Sequence, residues 1–492
     1  MKIFRRPSDG VAAGDAIPFY WKGVYHLFYL TSPAGTKKYP ERVRTTWRHA
    51  VSKDLVVWEE LPIALSPGEE PECDSNGVWT GSVIYANDKF HIFYTGYHIA
   101  SDFPQTICHA TSNDLINWEK DEKNPIIKPD INIYENIDWR DPYVFWNEGE
   151  QCYWMILSAR LNKGPDSRRG CIALATSDDL DNWTVHDPIY APYSTNCPEC
   201  PEMYKMGDKW YLAYSRFSES AQTIYRIADN PRGPWRAPIV DGLDGRRFYA
   251  AKSLEDDNKR RFYFGWVHDR ENEVDNGEWE WGGDFTVPRE VIVLPNNDLA
   301  VKCPEEITRT YNVRCQNEFN GIMGKWTVYG TEVLNVESLS KLSYGFFNIS
   351  QEEFLFQCKI TPTDVRDSFG ILIKSDKELE TGYILKFEPS AQRVSLVKLP
   401  QPMDPFWSTL SGKTVPLPEA DGPRVVERPL LIDNNSTLDC KVIVTDTIIE
   451  VFVNDKVALS YRAYDKGQHQ IGLIVEDGYA QFSSIEFKKQ MN

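Results

Sequence analysis

The feature that most constrains this chain is a segment that returns three times. Ser52-Lys-Asp54-Leu55-Val-Val-Trp58 recurs as Ser112-Asn-Asp114-Leu115-Ile-Asn-Trp118, and again as Ser177-Asp-Asp179-Leu180-Asp-Asn-Trp183. A Ser/Asp turn with Leu and Trp placed to pack beneath it closes a supersecondary unit. One copy could be chance, but three in order, at intervals of about 60 residues, are a repeat. Five short aromatic strands interleave with these turns: Tyr25–Tyr29, His91–Tyr94, Tyr153–Ile156, Trp210–Tyr214 and Phe262–Trp266. Most follow a turn pair such as Lys22-Gly23 or Gly207-Asp208. Short strands at a steady period predict an all-β repeat architecture, and a propeller builds such repeats into four-stranded blades around a channel. Five repeats predict a five-bladed β-propeller over residues 1–302. The period exceeds the roughly 40–50 residues usual for propeller repeats, so long loops are expected, and loops carry sites.

Beyond Cys303-Pro304 the punctuation stops. Residues 303–329 read as a linker. From 330 to 492 apolar and polar residues alternate in longer runs, as in Phe354–Ile360 and Ile448–Val453, the latter closed by Asn454-Asp455. This predicts a C-terminal β-sandwich.

Composition narrows the function. The 16 Trp, 25 Tyr and 23 Phe favour strands, and exposed aromatics stack on sugar rings. The net charge of −18 argues against nucleic acid, whose phosphates need a basic footprint. No run approaches the roughly 18 apolar residues of a membrane span. The opening Met1–Arg6 leads into no apolar stretch, and the ten Cys are scattered, so reduced thiols and a cytoplasmic location are expected. A small carbohydrate is the expected partner, with neither nucleic acid nor membrane; a homo-oligomer stays open. No cofactor or metal is expected. Cys197-x-x-Cys200 lacks the second ligand pair a zinc site needs, and the βαβ setting of a redox pair is missing.

Three carboxylates interrupt apolar or Pro-containing stretches just ahead of repeat strands. They are Asp15 in Gly14-Asp15-Ala-Ile-Pro18, Asp141 in Arg140-Asp141-Pro142, and Glu199 in Cys197-Pro198-Glu199-Cys200-Pro201-Glu202. Because the innermost strand of each blade lines the channel, carboxylates at equivalent blade positions would converge on one funnel. Spacing alone leaves turn capping and surface solvation open for all three.

At these residues the chain resembles glycoside hydrolase family 32, the invertases, inulinases and levanases. Glu199-Cys200-Pro201-Glu202-Met-Tyr204 is similar to that family's Glu-Cys-Pro-Asp-aromatic block, with Glu202 where Asp is usual, and Arg140-Asp141-Pro142 to its Arg-Asp-Pro block. Trp47-Arg48-His49-Ala-Val-Ser52 resembles its Trp-Gly-His-Ala-Val-Ser segment, and Trp79-Thr80-Gly81-Ser82 its Phe-Ser-Gly-Ser block. Phe248-Tyr249-Ala-Ala251, the run from Trp281 through Pro288-Arg289-Glu290, and Ile449–Asp455 resemble later blocks. The family's opening Asn-Asp-Pro-Asn-Gly is altered here to Gly14-Asp15-Ala16-Ile17-Pro18, which keeps the carboxylate and loses the neighbouring amides. Asp9 is a weaker rival for its role.

The resemblance implies a retaining hydrolase of β-fructofuranosidic bonds in sucrose or fructo-oligosaccharides. Asp15 would be the nucleophile, Glu199 the acid/base and Asp141 the transition-state stabiliser. Arg140, Trp47, Trp79, Ser82 and Trp281 are the implied substrate contacts, although the tryptophans could equally be core. Glu199 must hold a proton near neutral pH, and proximity to ionised Asp15 is expected to help. Other outcomes fit the same residues: a fructosyltransferase, including one making or cleaving a difructose anhydride, another furanosidase such as an arabinofuranosidase, or a non-catalytic sugar-binding propeller.

Overall fold

A computed structural model describes residues 3–218, 220–330, 333–349, 351–401, 406, 407, 410, 422–464 and 471–491. The chain forms two compact units, a five-bladed β-propeller and a C-terminal β-sandwich. Lys2–Asp269 with Trp279–Ala300 make the first, and Arg270–Glu278 with Val301–Asn492 the second.

The blades follow one another along the chain. Their inner strands are Ala13–Trp21, Gly77–Ala86, Tyr134–Asn147, Pro198–Met206 and Tyr249–Glu255. Each pairs antiparallel with the aromatic strand that follows it. Blade four has three full strands, its outer edge reduced to the bridges Ile224–Gly242 and Ile227–Arg236. The circle is closed by Trp279–Phe285, which lies between a blade-five strand and the inner strand of blade one and pairs Gly283 with Ala13.

The thrice-repeated segment has one geometry. In each copy the Asp carboxylate accepts two backbone N–H groups at 2.8–2.9 Å: Val56 and Val57 on Asp54, Ile116 and Asn117 on Asp114, Asp181 and Asn182 on Asp179. The Leu takes a positive φ of 65°, 66° or 72°, and the Trp indole N–H returns to its carbonyl at 2.9–3.1 Å. That turn aims the Trp at the preceding blade. Trp118 meets Phe28 edge-on, Trp183 meets Phe93, and Trp58 of blade one meets Phe264 of blade five. The repeat is therefore the wedge between blades, and its apolar burial is what holds neighbours together.

The described C-terminal strands form one continuous hydrogen-bonded network that folds as a sandwich. Two long strands, Val333–Phe347 and Ile471–Lys489, run through both sheets. They turn the corner where the register slips between Ser338 and Leu342 and where Asp477 and Gly478 take positive φ. Strands Ser368–Ile373 and Phe354–Thr363 flank the two halves of Ile471–Lys489. Residues 303–329, expected as a linker, are structured within this unit. A helix spans Glu305–Thr310, and Phe319–Met323 and Lys325–Tyr329 both pair with Val333–Phe347. The alternation there is too short and too exposed to read as strand from sequence. Arg270–Glu278 also belongs here: Asp275 accepts hydrogen bonds from the Tyr383 hydroxyl and the Tyr464 N–H, both at 2.6 Å.

Candidate active site

Every inner strand of the propeller carries a bulge at the same level. Pairing slips at Gly14/Ala16, Trp79/Gly81, Arg140/Tyr143, Glu199/Glu202 and Tyr249/Lys252. A bulge inserts one residue, bends the strand and re-aims a side chain. The inserted residues are Asp15, Thr80, Asp141, Cys200 and Ala250, four of which take positive φ between 24° and 57°. Asp15 and Asp141 thus occupy equivalent bulge positions, whereas Glu199 lies one residue before its bulge, alongside Arg140 and Tyr249. The expectation of three equivalent positions is corrected to two plus a neighbour, because the alternation that sets side-chain direction restarts at a bulge.

All three carboxylates line one pocket of about 260 Å³ with Arg140, Cys200, Tyr249, Trp79, Trp266, His268, Trp281 and Tyr39. Asp15 accepts hydrogen bonds from the Thr80 hydroxyl at 2.5 Å and the Trp266 indole N–H at 3.2 Å. Asp141 accepts from the Ser158 hydroxyl at 3.1 Å and the Cys200 N–H at 2.8 Å, and its own N–H donates to Thr95 Oγ1 at 2.8 Å. Glu199 accepts from Arg140 Nη2 at 3.0 Å and from the Tyr249 hydroxyl. Arg140 is itself fixed by Asp138, by Gln105 Oε1 at 3.1 Å and by Cys197 Sγ at 3.3 Å.

Three acids around one guanidinium leave surplus negative charge in a poorly solvated site. Burial pushes the Asp15 carboxyl up to about 7; the Asp141 and Glu199 charges add to the rise, and the Thr80 and Trp266 donors oppose it. Glu199 is raised as well, first by burial and then by the Asp141 charge, against Arg140 and Tyr249. The expected cause is corrected here: burial leads, and Asp141 supplies the largest repulsion.

Other expected contacts divide. Arg140, Trp79 and Trp281 line the pocket. Trp47 does not: it is fully buried, and its indole N–H holds the Trp79 carbonyl at 2.9 Å. Ser82 lies deeper on its strand, accepting the Val144 N–H at 3.0 Å. Both are corrected from substrate contacts to supports: Trp47 is enclosed by the core, and Ser82 lies two residues below the Thr80 bulge, deeper in the channel. Asp9 pairs with Arg48 at 2.5 Å, outside the pocket. Glu202 is fully buried and bound to the Ser253 N–H and hydroxyl, both at 2.8 Å. Tyr249, Trp266 and His268 line the pocket and Thr80 donates to Asp15, and sequence reasoning singles out none of the four. Thr80 and Tyr249 sit inside the family-like blocks, which is a usable signal; Trp266 and His268 lie in an ordinary aromatic strand and offer none.

The altered opening block has a structural counterpart. A Cβ on Gly14 would come within 2.8 Å of the Trp281 ring. The indole fills the space beside Asp15 that a side chain at 14 would need.

A propeller whose inner-strand bulges bring three carboxylates and an arginine into an aromatic-walled pocket defines a glycosidase type of site. The family model for the glycosyl hydrolases family 32 N-terminal domain matches residues 7–302, and that for the family 32 C terminal matches 325–489. This chain belongs to glycosyl hydrolase family 32 and is a glycoside hydrolase. Among curated relatives, the insoluble β-fructofuranosidase isoenzyme CWINV2 of Arabidopsis thaliana is 30% identical over 426 residues, 77% of this chain and 69% of that protein. Sucrose-6-phosphate hydrolase of Zymomonas mobilis is 30% identical over 304 residues, 56% of each. Among solved structures, fructan 1-exohydrolase IIa from Cichorium intybus superposes with a TM-score of 0.73 at 20% identity, over 100% of this chain and 97% of that one. Exo-inulinase from Aspergillus awamori gives 0.73 at 18%, over 99% and 98%.

Proposed function

We propose that this chain hydrolyses terminal β-fructofuranosidic bonds of sucrose or fructo-oligosaccharides with retention of configuration, through a covalent fructosyl-enzyme. The observation that carries the proposal is the convergence of Asp15 and Glu199, with Asp141, on one pocket. Burial and neighbouring negative charge raise both carboxyls, so ionisation of one opposes ionisation of the other and the pair holds one proton between them. One anion and one acid across a glycosidic bond are what double displacement needs.

Asp15 attacks the anomeric carbon while Glu199 protonates the leaving oxygen. Glu199 then takes a proton from the incoming water, which releases fructose and frees Asp15. Asp141, fixed by Ser158 and the Cys200 N–H, binds ring hydroxyls and stabilises the positive charge that develops on the sugar. Trp79 and Trp281 wall the ring with apolar faces. The relatives support the substrate class: those named above are a β-fructofuranosidase, a sucrose-6-phosphate hydrolase, a fructan exohydrolase and an exo-inulinase.

A second reading, another furanoside such as an arabinofuranoside, is favoured by one feature. Beside Asp15 the wall is the Trp281 indole rather than an amide, so one hydroxyl-gripping group is missing. Incubation with sucrose, inulin- and levan-type oligosaccharides and arabinofuranosides, with products resolved by chromatography, decides between them. Free fructose from the first group supports the proposal. Release of arabinose alone overturns it.

A further inference from the structure

Next to the bulge level, Lys252 is a buried cation that the mechanism leaves unused. Lys252 is 2% exposed and sits two residues past the blade-five bulge, level with Glu202, Tyr143, Ser82 and Ile17 on the other inner strands. Its ammonium donates to the Gly81 carbonyl at 2.8 Å and lies 5.8 Å from the Tyr143 ring centre. Among the described residues no carboxylate comes within ion-pair distance of it: Glu202 is taken by Ser253, and Glu255 is paired with Arg261 and Lys259. A buried ammonium without a counter-ion is costly, so its position needs a reason.

Gly81 supplies one. It follows Thr80, the bulge residue whose hydroxyl donates to Asp15. The Thr80 carbonyl accepts the Thr95 hydroxyl at 3.0 Å, and Thr95 Oγ1 in turn accepts the Asp141 N–H. The bulge is thus pinned at two successive carbonyls, by Thr95 and by Lys252. A Cβ on Gly81 would lie 1.9 Å from the Phe93 carbonyl oxygen, so only glycine fits this crossing. The positive charge of Lys252 also reaches the Cys200 thiol, whose sulfur is 3.9 Å from Asp15 Oδ2.

We propose that Lys252 is a positioning residue for the nucleophile: it ties blade five to the Thr80 bulge and supplies positive potential beneath Asp15, aiming the carboxylate and favouring its charged form. The inference rests on the assignment of Asp15 given above. Asp15 is faced by Thr80, Asp141, Glu199, Cys200, Tyr249, Trp266 and His268, with Arg140 the cation across the pocket. Lys252 is a further buried cation, joined to Asp15 through the Gly81 carbonyl and the Thr80 hydroxyl.

The test is the pH dependence of kcat/KM on a confirmed fructoside for Lys252→Gln, Lys252→Met and Lys252→Arg, each checked for a cooperative thermal transition. With the charge gone, Asp15 becomes harder to ionise. The acid limb should move up by about one pH unit, and kcat should fall about 10- to 100-fold with KM changing much less. Lys252→Arg should hold the acid limb near its original position even where it loses rate. Thr80→Val should reproduce part of the kcat loss, and its combination with Lys252→Gln should cost less than the two losses together. An unmoved acid limb in folded Lys252→Gln and Lys252→Met overturns the inference, as does an equal shift in Lys252→Arg. Asp15→Asn separates the two levels. If it is inactive while the Lys252 variants keep their acid limb, only the role of Lys252 fails; if it is active, the nucleophile assignment fails with it.

Discussion

At the scale of single residues, the pocket joins catalysis to instability. Asp15 carries a carboxyl raised from 3.8 to about 7, so between those values the folded state holds a proton that the unfolded chain releases. Stability from this group is therefore complete below about pH 4 and is lost as the pH rises through 7. The full cost at alkaline pH is about 4 kcal/mol, as an upper figure. Asp15→Asn removes the charge and keeps an acceptor for Thr80 and Trp266. It should raise the thermal midpoint by a few degrees at pH 8 and by almost nothing at pH 4, which calorimetry at the two values checks. Asp15→Ala should lower turnover by several powers of ten. Glu199→Ala should spare substrates with good leaving groups, which need little protonation, and added azide should speed the second step. The kcat/KM profile should be a bell, its acid limb reporting ionisation of Asp15 and its alkaline limb loss of the Glu199 proton. Because the two acids share one site, the limbs belong to the pair, and the acid limb should lie above the ordinary carboxylate range.

At the scale of elements, the fold is legible wherever the sequence repeats itself. The Ser-x-Asp-Leu-x-x-Trp turns can be counted because their positions play fixed and separate roles, as caps, as a positive φ and as a wedge. The bulges cannot be counted. Their inserted residues are Asp15, Thr80, Asp141, Cys200 and Ala250, of which only two share a residue type, and a one-residue slip leaves no mark on a short apolar run. This is why Asp15 and Asp141 stand out as carboxylates, whereas Thr80, their structural equivalent, is marked only by the block that contains it. Trp47 is misread for a related reason: a buried Trp and a sugar-facing Trp look alike until the register is known. The wedge itself can be tested. Trp118→Ala and Trp183→Ala each leave a large cavity between blades and should cost about 3–5 kcal/mol of stability, read from denaturant midpoints, with kcat little changed in the folded fraction. A second element acts on the acid side. His26 and His49, 3.0 Å apart, and His91, 2.9 Å from His109, are held neutral by burial, with the pKa values of His26, His49 and His91 down to about 4, 3 and 4. The unfolded chain binds their protons first, so their contribution to stability fades as the pH falls from about 6.5 toward 4. His91→Phe should flatten that acid-side loss, measured as the difference in midpoint between pH 7 and pH 5.

At the scale of the whole molecule, the propeller turns a repeat into a site. Five similar blades bring five bulges to one level, and the residues placed in those bulges set the chemistry. The closing strand Trp279–Phe285 joins the last blade to the first and carries Trp281 over Gly14 beside Asp15. Closure and pocket wall are thus the same element. The altered opening block fits this arrangement, since a glycine before Asp15 is what admits the indole. Gly14→Asn should force Trp281 aside and weaken substrate binding, seen as a rise in KM larger than the fall in kcat.

The central claim is that Asp15 forms the covalent bond. Mixing the Glu199→Gln variant with β-fructofuranosyl fluoride tests it most directly: the fluoride leaves without acid help, whereas hydrolysis of the intermediate is slowed. Intact-protein mass after rapid quench should show an increase of one fructosyl residue, and peptide mapping should place it on the carboxylate of Asp15. A protein of unchanged mass that still turns over the fluoride, or an adduct on Asp9 or Asp138, would contradict the account.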